Sequence, residues 1–302
     1  MSRLDKRRFL RRDEEGVAST VGTIMALLVF LTFLSMFTNS YVPVWMQDNE
    51  RAHMNSAINQ FGDLKGKIDN LIVTAQVTGS TSIYMYSPIT LGAAGIPIFA
   101  SPTAGLLTYS PQGLGDSSVN VSFTYRLNNQ ITSVSNYGGG MVELYAPNRY
   151  YVQQWVAYEN DAVIVKQQDG QAIRAFPSMG VQKNGLVTNI QFTQIDFIGT
   201  NASLGGTSTA GLNLNLVYLD SQTYNVSSGN AKIVTVTLTT RYSTAWQQYI
   251  GDLFSKAGLK SPGDYTITVK TVNNNVQTIT LTIKNAGTLI YNRAFVNVSV
   301  QM

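Results

Sequence analysis

Cysteine is absent from the 302 residues, and histidine occurs once. The first absence excludes disulfides, thiolate metal sites and cysteine nucleophiles. The second leaves a Ser-His-Asp triad with His53 as its sole possible base. His53 stands beside Glu50 and Arg51 and reads as an ordinary surface residue. Charge is scarce too, at 13% of residues. The net charge is +4, and residues 1–15, with six basic and four acidic side chains, supply +2 of it. The remaining basic residues are scattered. The clustered basic face of a nucleic-acid groove is therefore missing, and no nucleic-acid partner is expected.

Chemistry-bearing motifs are lacking as well. There is no Walker or dinucleotide fingerprint, and Gly138, Gly139 and Gly140 follow no helix signal and read as a loop. No acidic loop has the spacing of an EF-hand. Asp161, Asp169, Asp220 and Asp264 read as turn residues. A general acid/base pair needs two carboxylates in one cleft. The scattered acids thus argue against a carbohydrate-active enzyme on a β scaffold, a reading that an acidic pair in an aromatic cleft would revive. No catalytic, cofactor-binding or metal-ligating residue is nominated.

What is present is concentrated at the start. Residues 1–15 form a charged leader with Arg3, Lys6, Arg7, Arg8, Arg11 and Arg12, and residues 16–47 carry no charge at all. The 22 residues 17–38 are all apolar, small or hydroxylated. At ~1.5 Å per residue they reach ~33 Å, enough for a hydrocarbon core of ~30 Å. Ser and Thr there can return a hydrogen bond to their own helix, which makes them tolerable in lipid. The next basic residue is Arg51, so the charge asymmetry places the N-terminus in the cytoplasm and the rest outside. Tyr41 and Trp45 stand where an aromatic belt would meet the outer headgroups. Pro43 is expected to bend or break the helix there. Three readings fit this segment. The first is a cleaved secretory signal leaving at Thr38-Asn39-Ser40, whose apolar core would be only ~7–15 residues long. The second is a plain transmembrane anchor. The third is a leader cut at a glycine just before an apolar assembly helix.

The run Glu14-Glu15-Gly16-Val17-Ala18-Ser19-Thr20-Val21-Gly22-Thr23-Ile24 resembles the start of archaeal pilin-like and archaellin-like proteins, which carry class III signal peptides. The resemblance implies that a prepilin peptidase cuts between Gly16 and Val17 and leaves the apolar helix on the mature chain. It also implies self-association, or association with other pilin-like subunits, in a type IV pilus-like filament with an adhesive role. The chain differs from the pattern at Glu15, where a basic residue is usual, and at Val21, where bacterial type IV pilins have Glu. Residues 150–178, an aromatic strand running into Glu159-Asn160-Asp161 and a Gln-rich hairpin, resemble the middle of large members of the same family.

Behind the apolar stretch, residues 47–78 read as an amphipathic stalk helix. Met54, Ile58, Phe61, Leu64, Ile68, Leu71 and Ile72 recur at spacings of three and four, with Asn55, Asn59, Asp63, Lys67 and Asn70 opposite. Gly62 and Gly66 weaken this helix by ~1 kcal/mol each, so it needs a partner: the chain's own β domain or a coiled-coil copy. From about residue 79 to 302 the grammar is that of strands. They are expected at 119–127, 141–145, 150–158, 162–167, 171–176, 187–198, 212–219 and 233–241. A hairpin around Asn273-Asn274-Asn275 and a last strand through Val296, Val298 and Val300 complete the set. One helix interrupts them, capped by Ser243, striped by Trp246, Ile250, Leu253, Phe254 and Ala257, and stopped by Gly258. The turn-rich residues 177–185 mark a possible boundary between two layers or subdomains.

Four N-glycosylation sequons begin at Asn120, Asn201, Asn225 and Asn297. Asn297 alternates with Val296 and Val298 and is expected to face solvent; Asn201 and Asn225 fall in accessible loops. The expected architecture is mainly β: a transmembrane helix (17–46) runs into the stalk helix and then an antiparallel β-sandwich-like extracellular domain with one inserted helix. The expected role is that of a structural cell-surface protein, not an enzyme. The alternative is a single-pass anchored domain that never polymerises.

Overall fold

The computed structural model describes residues 3–301, with side chains from residue 18 onward. Helix α1 runs unbroken from Arg3 to Thr78, 76 residues, with Pro43 inside it. The expected break at Pro43 does not occur. Proline removes one N–H and crowds the carbonyl four residues back. Here Val42 and Met46, on either side, are buried against the rest of the chain and hold the helical path.

Sixteen strands follow among the described residues. They are β1 (Tyr84–Thr90), β2 (Gly105–Pro111), β3 (Ser118–Leu127), β4 (Gln130–Gly138), β5 (Gly140–Ala146), β6 (Gln154–Glu159), β7 (Ala162–Gln167) and β8 (Gly170–Ala175). Then come β9 (Met179–Asn184), β10 (Val187–Ile198), β11 (Ala202–Gly206), β12 (Thr209–Asn225), β13 (Val234–Thr240), β14 (Tyr265–Asn273), β15 (Val276–Ile283) and β16 (Ala286–Gln301). Helix α2 (Ser243–Lys256) lies between β13 and β14. The strands form three sheets, ordered β1-β12-β16-β10-β9, β11-β2-β5-β6-β7-β8 and β14-β15-β13-β3-β4. All pairings are antiparallel except β10 with β16, which run parallel.

The result is β-sandwich-like and has two cores. The first lies between α1 and the first two sheets and joins Phe61, Leu64 and Ile68 to Leu144, Val156, Phe197, Leu212 and Val296. The second joins α2 to the third sheet through Trp246, Ile250, Phe254, Val236, Leu238 and Leu281. The second sheet is shared: Val156 and Val163 face the first core, Ala157 and Ile164 the second. That explains why Ala162–Val165 is buried without alternation. Strands β10 and β16 also serve both cores, β10 through Phe197 and Phe192 and β16 through Val296 and Tyr291. Residues 177–185 carry the chain from the second sheet to the first and contain edge strand β9. The Gly138–Gly140 run is a tight crossover from the third sheet to the second. A Cβ on Gly138 would lie 1.9 Å from Asp196 Oδ1, and Gly139 and Gly140 have φ of 110° and 112°.

The stalk half of α1 packs on the chain's own β domain. Each of the fully buried side chains Met54, Phe61, Leu64 and Ile68 contributes about 1.5–3 kcal/mol by leaving water. Gly62 and Gly66 have open space where a Cβ would stand, so no close approach requires them. Gly66→Ala should therefore stabilise the protein by about 0.5–1 kcal/mol, read as a raised urea midpoint.

Helix α2 starts one residue earlier than expected, with Tyr242 and not Ser243 at its cap position. Ser243 is its first residue, and its hydroxyl donates to Gln277 Oε1 instead of capping the helix. The side chain of Gln171 supplies an acceptor at this end, to the Ala245 N–H at 3.5 Å. The far end is as expected: Gly258 adopts φ 73°, and Leu259 N–H returns to the Phe254 carbonyl.

Candidate functional site

Helix α1 changes character along its length. The side chains of Val21, Ile24, Leu28, Phe30, Phe33 and Met36 are all about half exposed or more. An 18-residue window here has mean hydropathy 2.2 with none of it covered by the rest of the chain. Among the described residues this is the one helix long and apolar enough to cross a membrane. Three of its hydroxyls bond back to the helix itself. Thr23 donates to the carbonyls of Ser19 and Thr20, Thr32 to Leu28 at 2.7 Å, and Thr38 to Leu34 at 3.0 Å. At the end of the apolar stretch the rings of Phe37, Tyr41 and Trp45 form a cluster, joined by Phe99 at 5.3 Å from Phe37.

Below that point α1 is seated on the β domain by polar contacts as well as by the apolar stripe. Glu50 is fully buried. Its Oε1 accepts from the Thr103 hydroxyl at 2.6 Å and the Arg149 N–H at 3.0 Å, and its Oε2 from the N–H groups of Tyr150 and Tyr151 at 2.8 and 2.7 Å. Burial pushes this carboxyl up, but the four donors outweigh it, and the pKa lies below the ordinary value. The same contacts explain why the strand expected from 150 begins at Gln154: the N–H groups of residues 149–151 are turned toward the helix. His53 corrects another expectation. It is buried, and Nε2 lies 3.0 Å from the Thr90 carbonyl. Because a carbonyl only accepts, Nε2 carries the proton; burial lowers the pKa and keeps the ring neutral. Gln60 spans Thr90 from both sides, accepting from its N–H at 2.9 Å and donating to its hydroxyl at 3.1 Å.

Five residues beyond Gln60, Lys65 donates to Asp161 Oδ1 at 2.6 Å and to Asp69 Oδ2 at 2.9 Å. Asp161 does sit in the β6–β7 turn, at φ 67°, but it is wholly buried and also accepts from the Ser178 N–H at 2.6 Å. It is a docking partner of the helix as much as a turn former. The spacing held a signal for these residues. Met46, Glu50, Met54, Ala57, Phe61, Lys65 and Ile68 follow one another at three or four along one face, so an acid and a base stand within the apolar stripe.

One acidic pair does converge beside aromatic rings. Glu143 on β5 and Glu159 on β6 lie near Tyr242 and Trp246 at the start of α2. The site is filled, not open. Glu159 accepts from Trp246 Nε1 and Thr240 Oγ1, each at 3.0 Å, and Glu143 accepts from the Tyr242 hydroxyl and from Arg241 at 3.4 Å. Both carboxyls are nearly fully buried, so the arrangement fixes α2 on the second sheet. Burial, reinforced by the charge of Glu143, pushes Glu159 up to about 7 from an ordinary 4.5, with the bonds from Thr240 and Trp246 only partly offsetting it. A raised carboxyl adds stability that is fully present below about 4.5 and is lost as pH rises through about 7. Glu159→Gln should remove that loss, giving about 2–3 kcal/mol more stability at alkaline pH and a flatter pH dependence of the urea midpoint. Among the described residues no three His, Asp or Glu side chains converge to hold a metal.

The sequons separate by exposure. Asn201, between strands, and Asn225, the last residue of β12, are exposed. Asn120 is half-buried on β3 and accepts from the Ser135 hydroxyl. Asn297 keeps the expected alternation but is half-buried on β16, between β12 and β10 in the middle of the first sheet, and not free in solvent. Gly16 and Val17 fall within the helical backbone of α1, and the side chain of Val17 lies outside the described residues. Met1 and Ser2, at the tip of the leader, also lie outside them.

Searches of the curated proteins and of the solved structures return no match. A family model does match, over residues 114–286, from just before β3 to the start of β16 and more than half of the chain. The matched segment holds the third sheet, most of the second and helix α2, the parts around the second core. On that match the chain belongs to a family of unknown function, DUF7289.

Proposed function

We propose that this is a structural surface protein of the archaeal pilin-like type. Its N-terminus lies in the cytoplasm and its β domain outside, and α1 holds it in the membrane until assembly. A prepilin peptidase cuts between Gly16 and Val17, and the freed apolar helix then bundles with copies of itself or with related subunits in a filament. The β domain coats that filament in an adhesive role, and Asn201 and Asn225 are its most accessible glycan sites. The reading gives the chain no enzymatic role. The observation that supports it best is the division of α1: one continuous helix whose second half is clamped by Glu50 and Lys65 and whose first half projects bare. A helix held this firmly can transmit load between a bundled stem and the domain it carries. Helices also suit a packed apolar bundle because they satisfy their own backbone hydrogen bonds.

Mass spectrometry of the mature N-terminus tests the reading. A chain starting at Val17 is the expected result; a chain retaining residues 1–15 sinks it. Electron microscopy of filaments sheared from the cell surface then tests polymerisation. A second reading, an anchored domain that stays single, draws on the exposed rings of Tyr41 and Trp45, which suit a lipid headgroup region. Processed chains found only as single copies in membranes would favour it.

A further inference from the structure

We infer that the turn at residues 96–100 is a second membrane contact, which dips into the interface of the bilayer that α1 enters and seats the β domain on it. The inference rests on the membrane anchorage of the proposed function, not on filament assembly. Its first support is position. The Phe99 ring lies 5.3 Å from Phe37, and Phe37 belongs to the last turn of the apolar stretch 17–38. Phe37 precedes Tyr41 by four residues, ~6 Å along the helix. If Tyr41 and Trp45 mark the headgroup level, the turn reaches beneath it.

The second support is chemistry. Residues 92–102 include Ala93, Ala94, Ile96, Pro97, Ile98, Phe99 and Ala100 and carry no charge. Ile98 is 101% exposed, and Phe99 41%. Such a tip is costly in water and at home in the headgroup–acyl boundary. Just behind it stands a cation: exposed Arg149 donates to the Ser101 hydroxyl at 3.2 Å and to the Pro102 carbonyl at 3.1 Å. A guanidinium at that height suits lipid phosphates.

The third support is the backbone. Ile96 and Ala100 exchange hydrogen bonds at 2.9 Å, and Phe99 N–H returns to the Ile96 carbonyl at 3.1 Å. Ile98 is the third residue of this tight turn, at φ 71°, a conformation that suits glycine and strains a β-branched side chain. The turn therefore bears an apolar side chain at a strained and fully exposed position, and a bilayer would relieve the cost of exposure. The base is rigid. Ala93 and Thr103 pair as a bridge, Thr103 is held by Glu50, and a Cβ on Gly95 would lie 2.4 Å from the Ala100 carbonyl.

The absence of native cysteine makes the test clean. Single variants Ile98→Cys, Leu27→Cys and Asn274→Cys of the full chain carry an environment-sensitive fluorophore. They report respectively on the turn, the middle of the apolar stretch and an exposed loop of the third sheet. Each is reconstituted at about one chain per vesicle in phosphatidylcholine containing phosphatidylglycerol and spin-labelled lipid. The fully exposed Ile98 side chain can be replaced with little loss of packing. The expected result is a blue-shifted Ile98 probe, quenched severalfold more than the Asn274 probe and best by a label near the headgroup. The Leu27 probe should be quenched best by a label deep in the chains. A quenched Leu27 probe beside an Ile98 probe that behaves like Asn274 overturns the inference and leaves the anchor standing. An unquenched Leu27 probe overturns the anchor and the inference with it. An Ile98 shift that appears only at high protein-to-lipid ratio assigns the turn to a second copy of the chain, and likewise overturns the membrane contact.

Discussion

Replacing Glu50 by alanine should destabilise the seat of α1 by about 3–5 kcal/mol. The reason is the number and type of donors left behind. Glu50 serves three consecutive backbone N–H groups, at Arg149, Tyr150 and Tyr151, and the buried Thr103 hydroxyl. No strand pairs those N–H groups, and an orphaned buried donor costs about 1–3 kcal/mol. Glu50→Gln keeps the volume but turns an NH2 group toward donors and loses the charge that strengthens each bond; about half the effect should remain. Acid should reproduce part of the loss. The carboxyl is held below its ordinary value of 4.5, so its contribution is present above that pH and disappears as pH falls through the lowered value. Urea unfolding of the full chain in detergent, followed by tryptophan fluorescence, measures the effect. A Glu50→Ala midpoint equal to that of the unsubstituted protein would show that the loop at 149–151 is held by other contacts.

Much of this architecture was legible in the sequence, and the parts that were not share physical causes. The apolar stretch and the stripe from Met54 to Ile72 were plain because both are long and strongly patterned, and periodicity is the dependable signal. The hairpin around Asn273–Asn275 was plain because Ile279, Leu281 and Ile283 alternate cleanly with threonine. Strands β1, β4, β9 and β11 went unrecognised. All four are edge strands, and residues such as Gln130, Ser133 and Ser135 on β4 are mostly polar because a sheet edge buries little. Strand β2 was hidden differently: it is an interior strand whose exposed Leu106 blurs the alternation between buried Gly105 and Leu107. The β domain is one of the two partners the stripe allows for this helix, but the polar contacts that seat it there are not legible, because a lone polar or charged residue reads as a surface or turn position. Glu50, His53 and Asp161 are buried, and what buries them is partners nearly 40 to 100 positions away, at Thr90, Thr103, Arg149–Tyr151 and Lys65. Local propensity carries no information about contacts at that separation. The position of an acid within an apolar stripe does.

Lys65→Met should be as damaging as the loss of Glu50 at alkaline pH, about 3–5 kcal/mol, and much less so in acid. Lys65 is the cation between two carboxylates. Asp161 is fully buried, and Asp69 is already pushed up to about 6, first by burial and then by the charge of Asp161, with Lys65 pulling it back. Methionine fills much of the volume of the lysine stem but leaves the two acids facing one another without a counter-charge. One of them must then take a proton, as in any close carboxylate pair. Because Asp69 is raised even in the native protein, its contribution to stability is complete below 3.8 and fades as pH rises through about 6. Removing Lys65 moves the pair further in that direction, so the penalty should grow steeply above about pH 6 and shrink toward pH 4. Adding Asp161→Asn to Lys65→Met should recover part of the loss, since a neutral amide ends the repulsion while one oxygen still accepts from Ser178. The stability of the double variant should also vary less with pH than that of Lys65→Met alone. If instead Lys65→Met costs the same at both ends of that range, the side chain acts through the packing of its methylenes against the first core, and the charge triad contributes nothing to the seat of the stem.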